Sequence, residues 1–290
     1  MAKTSISKTS HLATLCKFIH KKIQLRYDFF MVITGDEGLG KSRGILLNII
    51  DYWYKGLLGK RKIPLGALNV DIKDFVKSLK KGVVADLRSL DEAGDSMDTQ
   101  EYANKINRLL YQAYTVIRER KYFSIVVLPS FFDLNPRFRK RRVRLLINVT
   151  KRIDNKCKKC SNIFAGDSCN KCKSTNFKKG FIRYDVYTRK QLREILERNR
   201  YRHIKSLRVG ITPVASGTVG EYKGELTEYY DKLKTDKTKE VLYNLEKDIT
   251  EFSNQKVCGH QWNFTKKNNN WWCRLCGKIT RENPYTEIKE

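Results

Sequence analysis

The chain has 290 residues, of which 40% are hydrophobic and 11% aromatic, so it can build a buried core and is not wholly disordered. Its longest apolar stretches, 29–34 and 122–132, are much shorter than the roughly 20 residues of a membrane-spanning helix, and residues 1–22 lack the apolar region of a signal peptide. We therefore expect a cytoplasmic protein without a membrane span. The 59 lysines and arginines exceed the 31 acidic residues by 28 charges, which favours a polyanionic partner, nucleic acid before an anionic membrane.

A glycine-rich motif follows the first clear strand pattern. We expect residues 1–24 to form an N-terminal helical segment, and the aromatic and β-branched run at 29–34 predicts a buried strand of a parallel sheet. Residues 35–42 fit G-x-x-x-x-G-K-[ST] at each fixed position, and apolar residues then recur at helical spacing from Ile45 to Trp53. Strand, glycine loop and helix in this order direct backbone N–H groups and a helix N-terminus at a triphosphate.

This loop is therefore a candidate ATP site. Lys41 is expected to reach the β- and γ-phosphates, and the Ser42 hydroxyl to bind Mg²⁺. The competing interpretation is a glycine turn that happens to precede a helix. The residues expected to line the nucleotide site are Gly35, Asp36, Glu37, Gly38, Leu39, Gly40, Lys41, Ser42 and Arg43.

An acidic pair follows the next candidate strand of the sheet. Residues 87–90 predict a short strand whose two polar positions favour a place near a sheet edge or an interface. We expect Asp91 to hold Mg²⁺ through water and Glu92 to polarise the attacking water as general base. Asp86, at the other end of the strand, is the rival for the Mg²⁺ role.

A helix and another buried strand come next. The helix begins at residue 98 or 99 and ends in a basic cluster that contains Arg118 and Arg120. Either arginine could reach the nucleotide of a neighbouring subunit, or simply complement the helix dipole. The strand at 123–128 precedes Ser130, and in phosphate-loop ATPases a polar residue at the end of the strand beside the acidic strand senses the γ-phosphate. Ser130 is our candidate for that position.

The first cysteine cluster interrupts this alternating pattern. Two C-x-x-C pairs lie between predicted strands at 143–152 and 180–187, which predicts a zinc-tipped hairpin projecting from the sheet. Four thiolates at this spacing suit tetrahedral zinc, and the alternative of two disulfides is disfavoured by the adjacent lysines and the absence of a secretion signal. The expected ligands are Cys157, Cys160, Cys169 and Cys172.

The same region carries much of the excess positive charge. Residues 137–190 contain 18 lysines or arginines and three aspartates, which predicts a DNA-binding face. The alternative is a solvated basic surface.

The second cysteine cluster lies near the C-terminus. Its expected zinc ligands are Cys258, His260, Cys273 and Cys276, a known structural combination. The alternative leaves His260 as a surface residue. Both clusters offer four protein ligands and no open position, so they indicate structural metal, and catalysis must lie elsewhere. Cys16 stands alone and is expected to be a buried core thiol.

The order of elements predicts an α/β fold with a parallel sheet, an inserted zinc-ribbon hairpin and a small C-terminal zinc ribbon. We expect the ATPase domain at 25–204, with the insertion at 151–180, and the second ribbon at 253–290. Residues 205–252 lie between them. Small and turn residues at 209–220 indicate a linker, and 225–252 indicate a charged helix that could serve as a lid, a subunit clasp or a spacer.

Four segments together resemble a known family. Phe29–Ser42, Leu90–Gly94, Leu128–Leu134 and the arginine-rich segment up to Val149 are similar to archaeal and viral ATPases related to zonular occludens toxin, within the HerA/FtsK class of additional-strand, catalytic-glutamate motors. The resemblance spans roughly residues 25–200. It implies a RecA-like sheet, Mg²⁺-dependent ATP hydrolysis between the subunits of a ring, expected to be a homo-hexamer, and DNA as the polymer that is moved. In a virus this would take place in the host cytoplasm.

Three functions are compatible with these sequence features. The first is a DNA-dependent ATPase motor that translocates, packages or transfers DNA, and the acidic pair 91–92 favours it because a switch can dispense with the catalytic base. The second is a zinc-ribbon replication or transcription factor that uses ATP only as a switch. The third is a virion or membrane assembly factor whose basic surface meets anionic lipid.

Overall fold

The computed structural model divides the chain into two compact units, Met1–Lys234 and Thr235–Glu290. Each unit is described by itself. The residues that the structure describes are 11–25, 27–83, 85–91, 121–134, 136–164, 168, 171–178, 180–202, 206–207, 209–256, 262–265, 270–273 and 279–280, with backbone alone at 137, 164, 177–178, 202, 248–256 and the later strands. Among the described residues, no helix combines the length and the hydropathy needed to cross a membrane.

The first unit is built on a mostly parallel seven-stranded sheet. Its strand order is β10-β9-β5-β1-β4-β3-β2. The five strands from β5 to β2 run parallel, and β9 and β10 extend the sheet by antiparallel pairing. The strands are β1 (Phe29–Thr34), β2 (Leu68–Asn69), β3 (Leu87–Leu90), β4 (Phe123–Val127), β5 (Leu145–Ile153), β9 (Phe181–Thr188) and β10 (Ala215–Val219).

Helices cover both faces of this sheet. A continuous helical run follows β1, with α2 at its centre and π-helical turns at Lys41–Leu46 and Tyr52–Leu57. Short 3₁₀ turns lie at Leu65–Ala67 and Phe131–Asp133. The α-helices are α1 (His11–Gln24), α2 (Leu47–Asp51), α3 (Ile72–Lys81), α4 (Pro136–Arg141), α5 (Arg189–Arg202) and α6 (Leu226–Lys256).

The side-chain alternation of β1 explains the two apolar cores. Met31 and Ile33 belong to one cluster, which includes α1 residues and Trp53, whereas Phe30 and Val32 belong to another, which includes residues of α3 and α5. Successive side chains of a strand point to opposite faces of the sheet. A strand that is buried throughout, as β1 is, therefore needs a helical layer on each side.

The strand β3 carries buried polar side chains that find partners inside the protein. Arg88 lies 2.8 Å from Asp86, and the Ser89 hydroxyl donates a hydrogen bond of 2.8 Å to the carbonyl of Ala67. These partners satisfy groups that would otherwise be costly to bury. The strand is second from the sheet edge, beside the two-residue strand β2.

Most predicted elements of the first unit are present, with one difference at 209–220. The structure contains the strands predicted at 29–34, 123–128, 143–152 and 180–187 to within two residues at each end. The segment predicted as a linker contains β10, which pairs with β9. Its residues are small and partly exposed, so this edge strand forms by backbone pairing rather than by burial. It therefore lacks the hydrophobic pattern from which a strand is predicted.

A small three-stranded sheet lies between β5 and β9. It consists of β6 (Asn155–Cys157), β7 (Ile163–Phe164) and β8 (Phe177–Lys178), with β6 in the centre. Because β5 and β9 are themselves strands of the main sheet, the predicted hairpin is continuous with the body, and within the described residues the small sheet extends beyond it.

The second unit contains most of α6 and another three-stranded sheet. Its strands are antiparallel, in the order β11-β12-β13. They are β11 (Trp262–Thr265), β12 (Asn270–Cys273) and β13 (Ile279–Thr280).

Candidate functional site

The carboxyl ends of the central parallel strands bring several predicted residues together. The loop 35–40, which we call the glycine loop, follows β1; Asp91 directly follows β3; and Ser130 lies three residues beyond β4. The Gly35 N–H donates a hydrogen bond of 3.2 Å to the carbonyl of Pro129, which ties the glycine loop to the end of β4. In open α/β sheets this edge is where ligands bind.

Two positions of the glycine loop require glycine. Gly35 has φ 142° and Gly40 has φ 88°, values at which a side chain is strained. A Cβ atom on Gly35 would also lie 2.5 Å from the carbonyl oxygen of Val149, and one on Gly40 would lie 2.6 Å from Ile182. The motif glycines therefore allow the loop to pack closely against β5 and β9.

The ammonium group of Lys41 lies inside the glycine loop. Its Nζ donates hydrogen bonds to the carbonyl of Gly35 at 2.5 Å and to the carbonyl of Asp36 at 2.9 Å. Burial lowers the pKa of Lys41, and the nearby carboxylate of Asp91 acts in the opposite direction. These two carbonyl oxygens hold the ammonium group at the glycine loop, where its positive charge could pair with an anionic ligand.

Ser42 and Asp91 are hydrogen-bonded to each other at the carboxyl edge of the sheet, where the parallel strands end. The Ser42 hydroxyl donates a hydrogen bond of 2.8 Å to Oδ1 of Asp91. Asp91 is fully buried, and its backbone N–H donates to the carbonyl of Asn69 on β2. A hydroxyl and a carboxylate are oxygen ligands of the kind that Mg²⁺ prefers, so these two residues could hold that cation.

Tyr230 on α6 is a site residue that sequence reasoning missed. Its hydroxyl donates a buried hydrogen bond of 2.6 Å to Oδ2 of Asp91, the oxygen that Ser42 does not engage. Burial, assisted by the charge of Asp91, raises the pKa of Tyr230, so the phenol stays protonated and remains a donor. A tyrosine in a charged helix 139 positions away along the chain gives no local signal for this contact.

The segment 221–234, which includes Tyr230, is held against the glycine loop region by further polar contacts. Arg43 lies 2.5 Å from Asp231, and the Tyr222 hydroxyl donates to Asp51 of α2 at 3.1 Å. Arg152 at the end of β5 donates to the carbonyl of Gly38 at 3.4 Å and lies 3.7 Å from Glu221. This segment of the first unit therefore forms one side of the candidate site.

The other predicted catalytic residues differ in where they lie relative to the site. The Ser130 side chain accepts a hydrogen bond from the N–H of Phe132 and caps the short 3₁₀ turn. Asp86 lies at the opposite end of β3 from Asp91, bound to Arg88 and Lys60, so the structure does not bring it to the site. Glu92, Arg118 and Arg120 lie outside the described residues.

Three cysteines of the first cluster form a candidate metal centre. The sulfurs of Cys157, Cys160 and Cys172 all lie within 4.8 Å of one another, and those of Cys157 and Cys172 are 3.5 Å apart. Hydrogen bonds from backbone N–H groups, that of Cys160 foremost, lower the pKa of Cys157, which favours the thiolate that a metal binds. The cysteines are placed to bind a metal such as zinc; Cys169, the fourth predicted ligand, lies outside the described residues.

Replacement of Cys172 by serine should remove this metal. With both predicted clusters loaded, metal analysis of the purified wild-type chain should give about two zinc ions, and the variant about one. Cys16→Ala is the matched control because Cys16 is buried in the main core and should leave the zinc content unchanged. Equal zinc content in Cys172→Ser and wild type would contradict a metal at this cluster.

The remaining cysteines divide into two kinds. Cys273 ends β12, and the other predicted ligands of the second cluster, Cys258, His260 and Cys276, lie outside the described residues. Cys16 is buried in the main core as expected, and burial raises its pKa to about 12. A thiol with that pKa stays protonated and unreactive at neutral pH.

Comparison with known protein families found no matching family model, and comparison with curated proteins found no significant match. The function of the chain is therefore inferred from the site itself.

Proposed function

We propose that the protein is a Mg²⁺-dependent ATPase whose nucleotide site is the carboxyl edge around the glycine loop. The observation that carries this proposal is the Ser42–Asp91 hydrogen bond of 2.8 Å beside a lysine that is enclosed by the same loop. These residues come from separate parts of the chain, and the fold brings the motif serine and the predicted acidic residue into contact. Such a meeting is expected if both serve one cation and is not required by a glycine turn that merely precedes a helix.

In this proposal each residue has a distinct task at the triphosphate. The backbone N–H groups of residues 35–42 and the Lys41 ammonium bind the phosphate oxygens. Ser42 and Asp91 would hold Mg²⁺, which when bound neutralises phosphate charge. Glu92, next in sequence to Asp91, would polarise the attacking water, and Ser130 would sense the γ-phosphate beside the loop.

Tyr230 completes the proposed site as a positioning residue. Its hydroxyl holds Oδ2 of Asp91 and thereby fixes the orientation of the carboxylate, while Oδ1 faces Ser42. Hydrogen-bond partners of this kind orient a metal-binding carboxylate and raise the affinity of the site for the metal. The segment 221–234 would then belong to the nucleotide site.

We further propose that the ATPase is a DNA-dependent motor. The supporting features are the net charge of +28, a sheet compatible with a RecA-like fold, and β4 inserted between the strands that precede the glycine loop and Asp91. The family resemblance implies a ring of identical subunits, expected to be hexameric, in which Arg118 or Arg120 reaches the neighbouring nucleotide. DNA would be translocated, packaged or transferred by this ring.

A second function is favoured by the metal-binding cysteines. A zinc-ribbon nucleic-acid-binding factor would use the basic region 137–190 and the cysteine cluster for binding, with ATP acting only as a switch. Both functions require ATP to bind, and only the motor requires DNA-stimulated hydrolysis.

The nucleotide site itself is tested by titration of the full-length protein with a fluorescent ATP analogue, with Mg²⁺ and with EDTA. We expect saturable binding that Mg²⁺ strengthens and that unlabelled ATP reverses. The absence of saturable binding under both conditions would overturn the motor and the switch together.

A further inference from the structure

Many basic residues of the segment 137–190 lie toward one or the other end of the β5–β9 hairpin. The arginines at 137–144 lie beside the amino end of β5, and Arg189 lies beside the facing end of β9. The lysines at 151–178 lie toward the other end of the same hairpin, with the cysteine cluster. Because β5 has nine residues at about 3.3 Å each, these two basic groups are separated by roughly 25 Å.

Strand register brings three arginines together at the amino end. Leu145 pairs with Thr188 in the antiparallel β5–β9 ladder, so Arg144 and Arg189 occupy the next facing positions. Arg193 follows Arg189 by four residues on α5, on the same side of the helix. Like charges at cross-strand and i,i+4 spacing destabilise a protein when nothing compensates them.

Within the described part of the chain, no carboxylate forms an ion pair with this arginine cluster. Within the described part of the chain, none of Arg144, Arg189 and Arg193 forms an ion pair, although Arg198 on the same helix pairs with Glu194 at 2.8 Å. Nearby Asp28 is already engaged by Arg142 at 3.4 Å.

Arg189 has a buried donor that no described group satisfies. Its Nε atom is buried without a hydrogen-bond partner among the described groups, and its Nη2 reaches only the Arg141 carbonyl at 3.4 Å. Burial, followed by the charges of Arg144 and Arg193, lowers the pKa of its guanidinium. A half-buried guanidinium beside two others, with a free donor, is the arrangement expected where an anion binds.

We propose that the triad of Arg144, Arg189 and Arg193 binds the phosphates of a nucleic-acid backbone at the amino-terminal edge of the parallel strands. The planar guanidinium fork matches phosphate oxygens in pairs. The choice of a nucleic acid rests on the proposed function and on the charge of +28, and the exposed Lys140 and Arg141 extend the basic surface beside the cluster. The proposed ATP site lies at the opposite edge, so the nucleic acid and ATP would occupy separate sites connected by β1 and β5.

The test is a DNA titration of the full-length protein without nucleotide. Fluorescence anisotropy with labelled single-stranded and duplex oligonucleotides, over a range of salt concentrations, compares wild type with Arg193→Gln and Arg189→Gln. Arg193 is exposed, so its replacement should leave the core intact. We expect each variant to bind about tenfold more weakly at low salt, with a salt slope shallower by about 0.7–0.9.

Arg198→Gln is the matched control. It removes an arginine from the same helix, but one that is paired with Glu194, and it should change affinity by less than about threefold. Arg189→Lys keeps the charge and should keep most of the salt slope, which separates loss of charge from loss of packing. Wild-type affinity and slope in both triad variants, or an equal loss in Arg198→Gln, would overturn the proposal.

The titration also separates this inference from the proposed ATPase activity, because it needs no ATP. If the wild-type protein binds DNA through the triad and hydrolyses no ATP, the arginine site stands and the motor fails. If it hydrolyses ATP but the triad variants bind DNA as wild type does, the arginine site fails and the ATPase stands. If the arginine substitutions weaken the binding of RNA of the same sequence as much as that of DNA, the triad recognises the backbone. If they weaken the binding of RNA alone, DNA is not the partner of the triad.

Discussion

Replacement of Lys41 by alanine should lower ATP turnover by a factor on the order of 100 or more, because the change removes the cation that the glycine loop surrounds. Among the described residues Lys41 forms no ion pair, and its ammonium group donates to two loop carbonyls. Those carbonyls would face the phosphates without compensation in the variant. Steady-state phosphate release by the full-length protein, with saturating Mg²⁺, measures the effect.

Lys77→Ala is the control for the loss of a lysine. Lys77 lies on the exposed face of α3 and pairs with the exposed Asp74 at 3.1 Å, so turnover should stay close to the wild-type value. Turnover by Lys41→Ala within a few-fold of wild type would mean that the glycine loop does not bind the reacting phosphates.

Replacement of Tyr230 by phenylalanine should lower activity less than the loss of Lys41 does. The ring keeps its packing, but Oδ2 of Asp91 loses its hydrogen bond of 2.6 Å. Loss of a hydrogen bond to a buried carboxylate costs about 1.5–3 kcal/mol, which corresponds to at least a roughly tenfold fall in kcat/KM. We also expect half-maximal activity to require more Mg²⁺, because the carboxylate is no longer fixed. Turnover measured across a Mg²⁺ titration gives both quantities.

Its neighbour supplies a closely matched control. The Tyr229 hydroxyl donates to the carbonyl of Leu65 at 3.3 Å, in an exposed position. Tyr229→Phe should therefore leave the Mg²⁺ dependence unchanged. If Tyr230→Phe lowers only the melting temperature and shifts neither kcat/KM nor the Mg²⁺ requirement, its role is structural and the positioning role is wrong.

The sequence predicted the parts of the fold that have local signals. The run 29–34 is apolar at every position but the last, and it forms β1 as predicted because both faces of that strand are buried. The motif glycines and the position of Asp91 after a strand were equally visible, and parallel strands place both at one edge of the sheet.

Contacts between distant segments could not be predicted in the same way. Tyr230 lies in a charged helix whose pattern is compatible with a lid, a clasp or a spacer, and only the folded chain brings it to its partner Asp91. The strand β10 forms by pairing with β9 and not by burying apolar side chains. The basic segment 137–190 predicts a DNA-binding face, but the sequence does not show that its residues lie toward two ends of one hairpin.

The most direct measurement of the central claim is ATP hydrolysis with and without DNA, for wild type and for Glu92→Gln. Glutamine keeps the size of the side chain and removes the proposed base. If the protein is a motor, we expect DNA to stimulate ATP turnover by the wild type. We expect Glu92→Gln to abolish turnover and to retain ATP binding. Tight DNA binding without ATP hydrolysis by either the wild type or the variant would contradict the motor. The protein would then be a zinc-ribbon factor with a nucleotide switch.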